Sequence, residues 1–544
     1  MGAASSFNGS GKSPRRWPPP QPSPEGGGSR VSSVLLAASA CWASVSATFH
    51  VNFWHTAKPR KLPALLLASA LLAACSSTTL PPTAPEPPLP TQWKSAAPKG
   101  WVSTSDYRRW QDGQWWQLFG DEALDALVAQ LDAGNQNIAV AAANVAQAQA
   151  LLQQSEAQRL PTLGLQAAAQ RGGEPARGSA SLGLAASWAP DLWGRITAGV
   201  RAQQAALQAS EADLAGARLA ARASLVQAYL QVRELDAEMR LMDEIITGYE
   251  RAREITGNRY RAGVAAHADL LQAQTTLENA RATRVGLARS RASAEHAIAL
   301  LLGRAPAQFT LAPAGWRDAV PQVPPLLPSE LLLRRPDVAS SEREVAAANA
   351  RIGAAQAAWF PSLSLSAGLG AAGGSIADLL SVPALTWSLG TAIAQTLFDG
   401  GSRDAALQQA IAAQQAAGAR YRQSVLGALG EVEDQLTALD ALERQIVHQR
   451  AAADAAAGAE QRTLNSYQAG LTAYTSVVTA QAATLGARRA LMQLQLQRQQ
   501  AVVALVQALG GGWQAPWSAD GAAGAQPAGA PAAQEPQGAG PPGH

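Results

Sequence analysis

The chain of 544 residues is short of charge, of aromatic rings and of soft metal ligands. Only 15% of its residues are charged and 5% aromatic, and it holds two cysteines, six histidines and four methionines. Two cysteines exclude a disulfide scaffold and, with so few histidines, a multi-cysteine zinc framework. The 43 basic and 40 acidic residues leave a net charge of +3, without the basic excess that would hold a nucleic acid. The scarcity of aromatics argues against an aromatic-cored enzyme domain. What remains is rich in Ala, Gln and Leu, a composition that favours long helices in close contact. The length allows roughly two to four ordinary domains.

No apolar run near the start is long enough to span a bilayer as a helix. The run Leu62 to Ala74 has 13 residues and follows the basic cluster Lys58-Pro59-Arg60-Lys61. Those are the length and flanks of a signal-peptide core. It ends in Leu72-Ala73-Ala74-Cys75-Ser76-Ser77, which resembles the lipobox of bacterial lipoproteins. That resemblance implies a diacylglycerol on the Cys75 thiol, cleavage before it, and acylation (palmitate) of the new amine. Several acyl chains anchor stably, because each buried methylene contributes about 0.8 kcal/mol. Ser76, rather than Asp, implies the outer membrane. A second run, Val34 to Ala40 before Cys41, is shorter and carries Ala38 where a lipobox prefers Leu. Residues 1–57 do not fit a lipoprotein signal, so translation is expected to begin downstream of Met1, with Val51 as a misread initiator.

The remainder is a repeat. Arg259-Tyr260-Arg261-Ala262-Gly263 recurs 207 residues later as Ser466-Tyr467-Gln468-Ala469-Gly470. The same offset pairs Gly194 with Gly401 and Leu302-Gly303 with Leu509-Gly510, while Pro161 pairs with Pro361 at an offset of 200. The second copy therefore carries seven extra residues between Pro361 and Gly401. Fixed register over so long a stretch indicates duplication. Each copy reads as helix, strand pair, long helix, turn, helix. In both long spans, Gly194 to Gly263 and Gly401 to Gly470, the glycines stand 69 positions apart, about 100 Å along a helix. Within the first, Ala221, Leu225, Ala228, Val232, Leu235, Met239, Met242, Ile246 and Tyr249 form a coiled-coil seam. An antiparallel coiled coil serving as a scaffold has the same seam.

The strand pairs alternate with period two. Ser179 to Trp188, Ser362 to Gly370, Leu385 to Leu397 and, more weakly, Thr162 to Ala169 set apolar residues on one face and small or polar ones on the other. Lengths of about nine to eleven residues suit a tilted transmembrane strand. A half-buried soluble sheet would usually carry charge on its polar face, and these segments carry none. A sheet in lipid must close on itself. Four strands cannot, so copies must share a barrel, and three copies supply twelve strands.

With its remaining motifs, the chain resembles the TolC-type outer-membrane efflux lipoproteins, in the NodT-like group paired with resistance–nodulation–division drug pumps. The resemblance runs from Trp93 to Trp513. It is carried by Trp115-Trp116-Gln117-Leu118-Phe119-Gly120-Asp121, by 187–195 (Ser-Trp-Ala-Pro-Asp-Leu-Trp-Gly-Arg), by 327–338 and by 347–353. Trp359-Phe360-Pro361, Leu397-Phe398-Asp399-Gly400-Gly401 and Glu431-Val432-Glu433-Asp434 complete it. It implies a homotrimeric α+β membrane protein: a twelve-stranded outer-membrane β-barrel continuing into a twelve-helix periplasmic α-barrel. It also implies a periplasmic adaptor (membrane fusion) protein, an inner-membrane transporter and outer-membrane lipid as partners, and passive export of drugs. The turns at Gly263 and Gly470 would be the adaptor-docking tips. The family's gate Tyr matches Tyr467, but its acidic positions are Ser476 and Thr479 here, so an acidic ring is not implied. Asp269, equivalent to Ser476, is the carboxylate available at the first tip.

Nothing else points to chemistry. Gly368-Leu369-Gly370-Ala371-Ala372-Gly373 has the glycine spacing of a dinucleotide loop but ends a barrel-like strand and enters a loop, as a glycine-rich hairpin would, rather than opening a helix. Gly11-Lys12-Ser13 lacks the glycine five positions before it. The histidines at 267, 296 and 448 have no metal-ligand spacing. Arg334, Arg335 and Asp337 suit a helix start. No catalytic residue, cofactor or metal site is expected. The expected parts are a leader and signal peptide (1–74), a first repeat (75–303), an inter-repeat linker in an equatorial belt (304–328), a second repeat (329–517) and a disordered tail (518–544). Metal-ion efflux and type I protein secretion are the alternatives within this architecture, and a non-channel coiled-coil envelope scaffold is the alternative outside it.

Overall fold

The computed structural model describes residues 90–94, 113–172, 177–321, 334–375 and 385–517. The leader with Cys75, the later part of the linker with most of the 327–338 motif, and the tail 518–544 lie outside the described residues.

The elements repeat in order and in length. The first copy has α1 (Glu122–Gly134), α2 (Gln136–Ala157), β1 (Thr162–Gly172), β2 (Arg177–Trp188), α3 (Arg195–Arg261) and α4 (His267–Leu301). The second has α5 (Pro336–Ala357), β3 (Ser362–Gly373), β4 (Leu385–Ala394), α6 (Ser402–Gln468) and α7 (Tyr474–Ala508). Helices α3 and α6 are 67 residues each, α4 and α7 are 35, and α2 and α5 are 22. At 1.5 Å per residue the longest are about 100 Å. The seven extra residues fall between β3 and β4. Four residues separate β1 from β2, and eleven separate β3 from β4.

Local chemistry sets the boundaries. Asp121 accepts from the Ala123 and Leu124 amides, capping α1, and Asn135 accepts from Asn137 and Ile138, capping α2. Arg335 and Pro336 start α5, where Asp337 takes the Val338 amide and the Arg335 guanidinium. Both α3 and α6 end in the same glycine-terminated motif. Gly263 N–H donates to Tyr260 O and Val264 N–H to Arg259 O, as Gly470 does to Tyr467 O and Leu471 to Ser466 O. Their φ angles of +76° and +79° call for glycine.

The four strands form one antiparallel sheet in the order β1-β2-β3-β4. Its register lines up Leu165, Leu184, Leu369 and Trp387 across the sheet. Alternation puts the next row on the same face: Leu163, Ala186, Ala367 and Leu389. This apolar face is bare in the single chain, with Trp387 80% exposed and Leu389 79%. The 368–373 glycine motif lies inside β3 and opens no helix.

The core lies between the helices. The seam residues Leu225, Val232, Leu235, Met239 and Met242 are buried with Leu277, Leu287 and Ile298 of α4 and with Val502, Val503 and Leu505 of α7. At its side Trp115, Phe119, Leu124 and Leu131 close over Tyr229, whose hydroxyl donates to Asp121 Oδ2 at 2.5 Å. Burial, and then this bond, push Tyr229 up to about 12.

The first part of the linker is strapped across three helices. Arg291 and Arg233 donate to Leu311 O and Ala312 O, while Glu295 takes the Leu311 amide. On α7, Gln499 receives the Trp316 indole N–H and donates to Arg317 O and Ala319 O. Arg498 Nη2 meets Asp318 Oδ1 at 2.6 Å.

Candidate functional site

The two turns at Gly263 and Gly470 carry the expected site residues, and the structure treats them unequally. In each turn an aromatic pair bridges the incoming and outgoing helices. Tyr260 and His267 have ring centroids 5.0 Å apart, and Tyr467 and Tyr474, 207 residues on, are 5.2 Å apart. The first pair is open to solvent, with Tyr260 41% exposed. The second is buried with Ala252, Ala273 and Val477, joining α6 and α7 to α3 and α4.

Tyr467 is therefore held inside its own chain. Its hydroxyl lies 3.3 Å from Thr256 Oγ1. The Arg259 guanidinium sits 4.9 Å from its ring centroid, an attractive cation–ring contact. Arg259 Nη1 also donates to Tyr467 O at 3.0 Å and to Gln468 O at 3.3 Å. One arginine from the first turn thus covers the end of the second long helix. Tyr474 is buried beneath it, and burial, Tyr467, Tyr249 and Asp269 push its hydroxyl up to about 12.

The other expected residues are not drawn into this cluster by hydrogen bonds. Asp269 is half-buried in the first turn of α4. Ser476 and Thr479 are exposed on α7: Ser476 Oγ accepts from Thr472, and Thr479 Oγ1 donates to Thr475 O. Val264 and Leu471, beside the turn glycines, are 64% and 81% exposed.

Arg259, Thr256 and Tyr474 are the residues that sequence reasoning did not single out. The offset of 207 reaches Tyr474 from His267, but it gives Arg259 only Ser466 as its equivalent. A long-range contact between dissimilar positions leaves no repeat signal.

A second polar cluster lies higher on α3. Glu234 and Glu238 are both buried, and Arg489 of α7 pairs with Glu238. Burial and the charge of Glu238 raise Glu234 to about 7, against the pull of Arg489.

Among the described residues no group of three or more His, Cys, Asp or Glu could hold a metal, and no helix is long and apolar enough to cross a membrane.

Comparison with known proteins agrees with this architecture. The outer membrane efflux protein family matches residues 127–304 and 327–511. The pyoverdine export outer membrane protein OpmQ of Pseudomonas aeruginosa is 32% identical over 467 residues, covering 83% of this chain and 96% of its own. The cation efflux system protein CusC of Escherichia coli is 28% identical, covering 83% and 99%. Among solved structures, the outer-membrane channel OprN matches with a TM-score of 0.70 and 32% identity, over 79% of this chain and 99% of its own. These relatives are named for efflux, export or a channel, not for an enzyme activity. The chain belongs to the outer membrane efflux protein family and resides in the outer membrane.

Proposed function

We propose that the chain is the exit duct of a tripartite efflux system. Three copies share a twelve-stranded barrel and continue it into a twelve-helix periplasmic tunnel. The sheet carries this reading. Strands β1 and β4 are its edges, its apolar face is bare, and no side chain charge lies on the apolar rows. In lipid each unsatisfied backbone group costs several kcal/mol, so those edges must pair with other copies.

In this reading, residues 1–74 are a leader removed on maturation and Cys75 carries the lipid anchor. The repeats are 75–303 and 329–517, the linker 304–328 belongs to a belt around the tunnel, and 518–544 is a tail. The turns at Gly263 and Gly470, with Val264 and Leu471 presented to solvent, dock a periplasmic adaptor that connects to a resistance–nodulation–division transporter. Tyr467, Ser476, Thr479 and Asp269 form the periplasmic gate. Tyr467 acts by tying the end of α6 to Arg259 and Thr256, so opening means breaking that tie. The duct conducts drugs or toxic compounds passively, and the transporter supplies the driving force. Exported metal ions are the second reading, supported by the likeness to CusC.

Deleting the gene tests this. The deletion strain should accumulate hydrophobic dyes and become sensitive to their toxicity, with both restored by the wild-type chain. Unchanged dye accumulation with new sensitivity to copper or silver would favour metal export. No change in either would refute the exit-duct reading.

A further inference from the structure

One tip tyrosine is held in the chain, and its repeat equivalent is left bare. Tyr467 is buried with Ala252 of α3 and Ala273 of α4, and its hydroxyl lies 3.3 Å from Thr256 Oγ1. These three partners belong to the first repeat, so the contact joins the second repeat to the first within one chain. Tyr260, 207 positions earlier, is the counterpart of Tyr467. It is 41% exposed and packs only on His267 of its own turn.

The surface that holds Tyr467 occurs a second time. An offset of 207 carries Ala252, Thr256 and Ala273 to Ala459, Thr463 and Ala480, the same three residue types on α6 and α7. The local bonding is repeated as well. Thr256 Oγ1 donates to Ala252 O at 2.9 Å, and Thr463 Oγ1 donates to Ala459 O at 2.8 Å. A hydroxyl that spends its proton in this way keeps lone pairs for an incoming O–H. In the second repeat this surface stands open. Ala459 is exposed, and Thr463 and Ala480 are half-buried. The sheet is one-sided in the same manner: β2 of the first repeat pairs with β3 of the second, while β1 and β4 are left as edges.

We propose that Tyr260 of a second copy of this chain docks on that surface, with its ring against Ala459 and Ala480 and its hydroxyl on Thr463. The proposal rests on the exit-duct reading and names the residues that join its copies at the tips. The contact is heterologous: first repeat to second within a chain, then second repeat to the first of the next copy. Contacts of that kind close into a ring when the rotation allows. The two joints differ where Arg259 is answered by Ser466. Serine has no cation to lay against a ring and cannot span two carbonyls as Arg259 does. The joint between copies therefore sets the tips side by side but holds them less firmly than the joint within a copy.

Cross-linking tests it, in the full chain kept in isolated outer membranes. Tyr260→Cys combined with Thr463→Cys and treated with a short bis-maleimide should give covalent dimers and trimers on a denaturing gel. Each single variant should stay monomeric. Tyr260→Cys combined with Asp454→Cys should not link, because Asp454 is exposed on α6 about 14 Å along the helix from Thr463. A third pair reports on the shared barrel alone. The offsets of 207 and 200 carry the β2–β3 pair Leu184 and Leu369 to Thr391 of β4 and Ala169 of the next copy's β1. Recovery in the outer-membrane fraction checks that each variant folds. Linking of Ala169→Cys with Thr391→Cys, but not of the tip pair, overturns the docking of Tyr260 and leaves the barrel standing. Linking at neither pair overturns both. Equal linking of Tyr260→Cys to Thr463→Cys and to Asp454→Cys also overturns the docking.

Discussion

Asn135 and Arg335, 200 positions apart, make the same bond in the two repeats. Asn135 Nδ2 donates to Leu301 O at 2.8 Å, and Arg335 Nη1 donates to Ala508 O at 3.0 Å. The two carbonyls are themselves 207 positions apart and close α4 and α7. Duplication has kept the joint and changed the donor. Asn135 does two jobs, since it also caps α2, whereas Arg335 adds ion pairs with Asp337 and Glu431. Asn135→Ala removes cap and joint together and should cost about 2 kcal/mol. Thermal unfolding in detergent, followed by circular dichroism, checks this; an unshifted midpoint would contradict it.

The same joint has no space for a side chain. A Cβ on Gly134 would lie 2.1 Å from Leu302 O, one on Gly303 would lie 2.1 Å from Gly134 O, and one on Gly510 would lie 1.9 Å from Arg334 O. Backbone cannot give way as a side chain can, and Gly303 and Gly510 also have positive φ. Gly303→Ala should cost several kcal/mol and remove the protein from the outer-membrane fraction. Gly120→Ala is the control. Its φ is +63° but nothing lies within 4 Å, so a loss of only about 1 kcal/mol is expected. Immunoblots of membrane fractions separate the two outcomes.

Glu234 gives stability a pH dependence. Its native value of about 7 stands above the ordinary 4.5 because burial and Glu238 disfavour the carboxylate. For an acid raised on folding, the native state binds the extra proton between those two values. Stability from this group is therefore fully present below about pH 4.5 and is lost as pH rises through 7. The span is worth on the order of 3 kcal/mol. Glu234→Gln, which mimics the neutral form, should flatten the curve and be the more stable protein at about pH 8. Midpoints measured across that range check it, and parallel curves for the two proteins would contradict it.

At the tips, Arg259 holds what Tyr467 completes. Arg259→Ala removes a cation–ring contact and two hydrogen bonds to the end of α6. Both Arg259→Ala and Tyr467→Ala should raise single-channel conductance in planar bilayers. Tyr260→Ala, in the open first turn, should leave it close to wild type. Equal conductance in all four proteins would remove the cluster from gating.

Much of this architecture is legible in the residues. Glycines 194, 263, 401 and 470 mark the ends of α3 and α6 because only glycine takes their positive φ without strain. Period two marks the strands, which alternate small and apolar residues and carry charge only at Arg171 and Arg177, near the end of β1 and the start of β2. The offsets of 200 and 207 locate the extra residues between β3 and β4. What could not be read arises from contacts between distant positions. Arg259 reaches Tyr467 across 208 residues, and Gln499 holds the linker strap 180 residues away. Glu234 lies beside the apolar seam, and one of the two charges that act on it, Arg489, comes from α7, 255 residues away. Tyr467 was legible as a tip residue, but its inward packing was not.

Whether three copies share one barrel is visible by low-resolution electron microscopy of the detergent-extracted mature protein. A shared barrel should appear as a threefold cylinder with a tunnel, closed at one end by the tips and opening at the other into a barrel. A monomeric or dimeric rod without a barrel would contradict it, leaving the edges of β1 and β4 unpaired and the helices as an envelope scaffold.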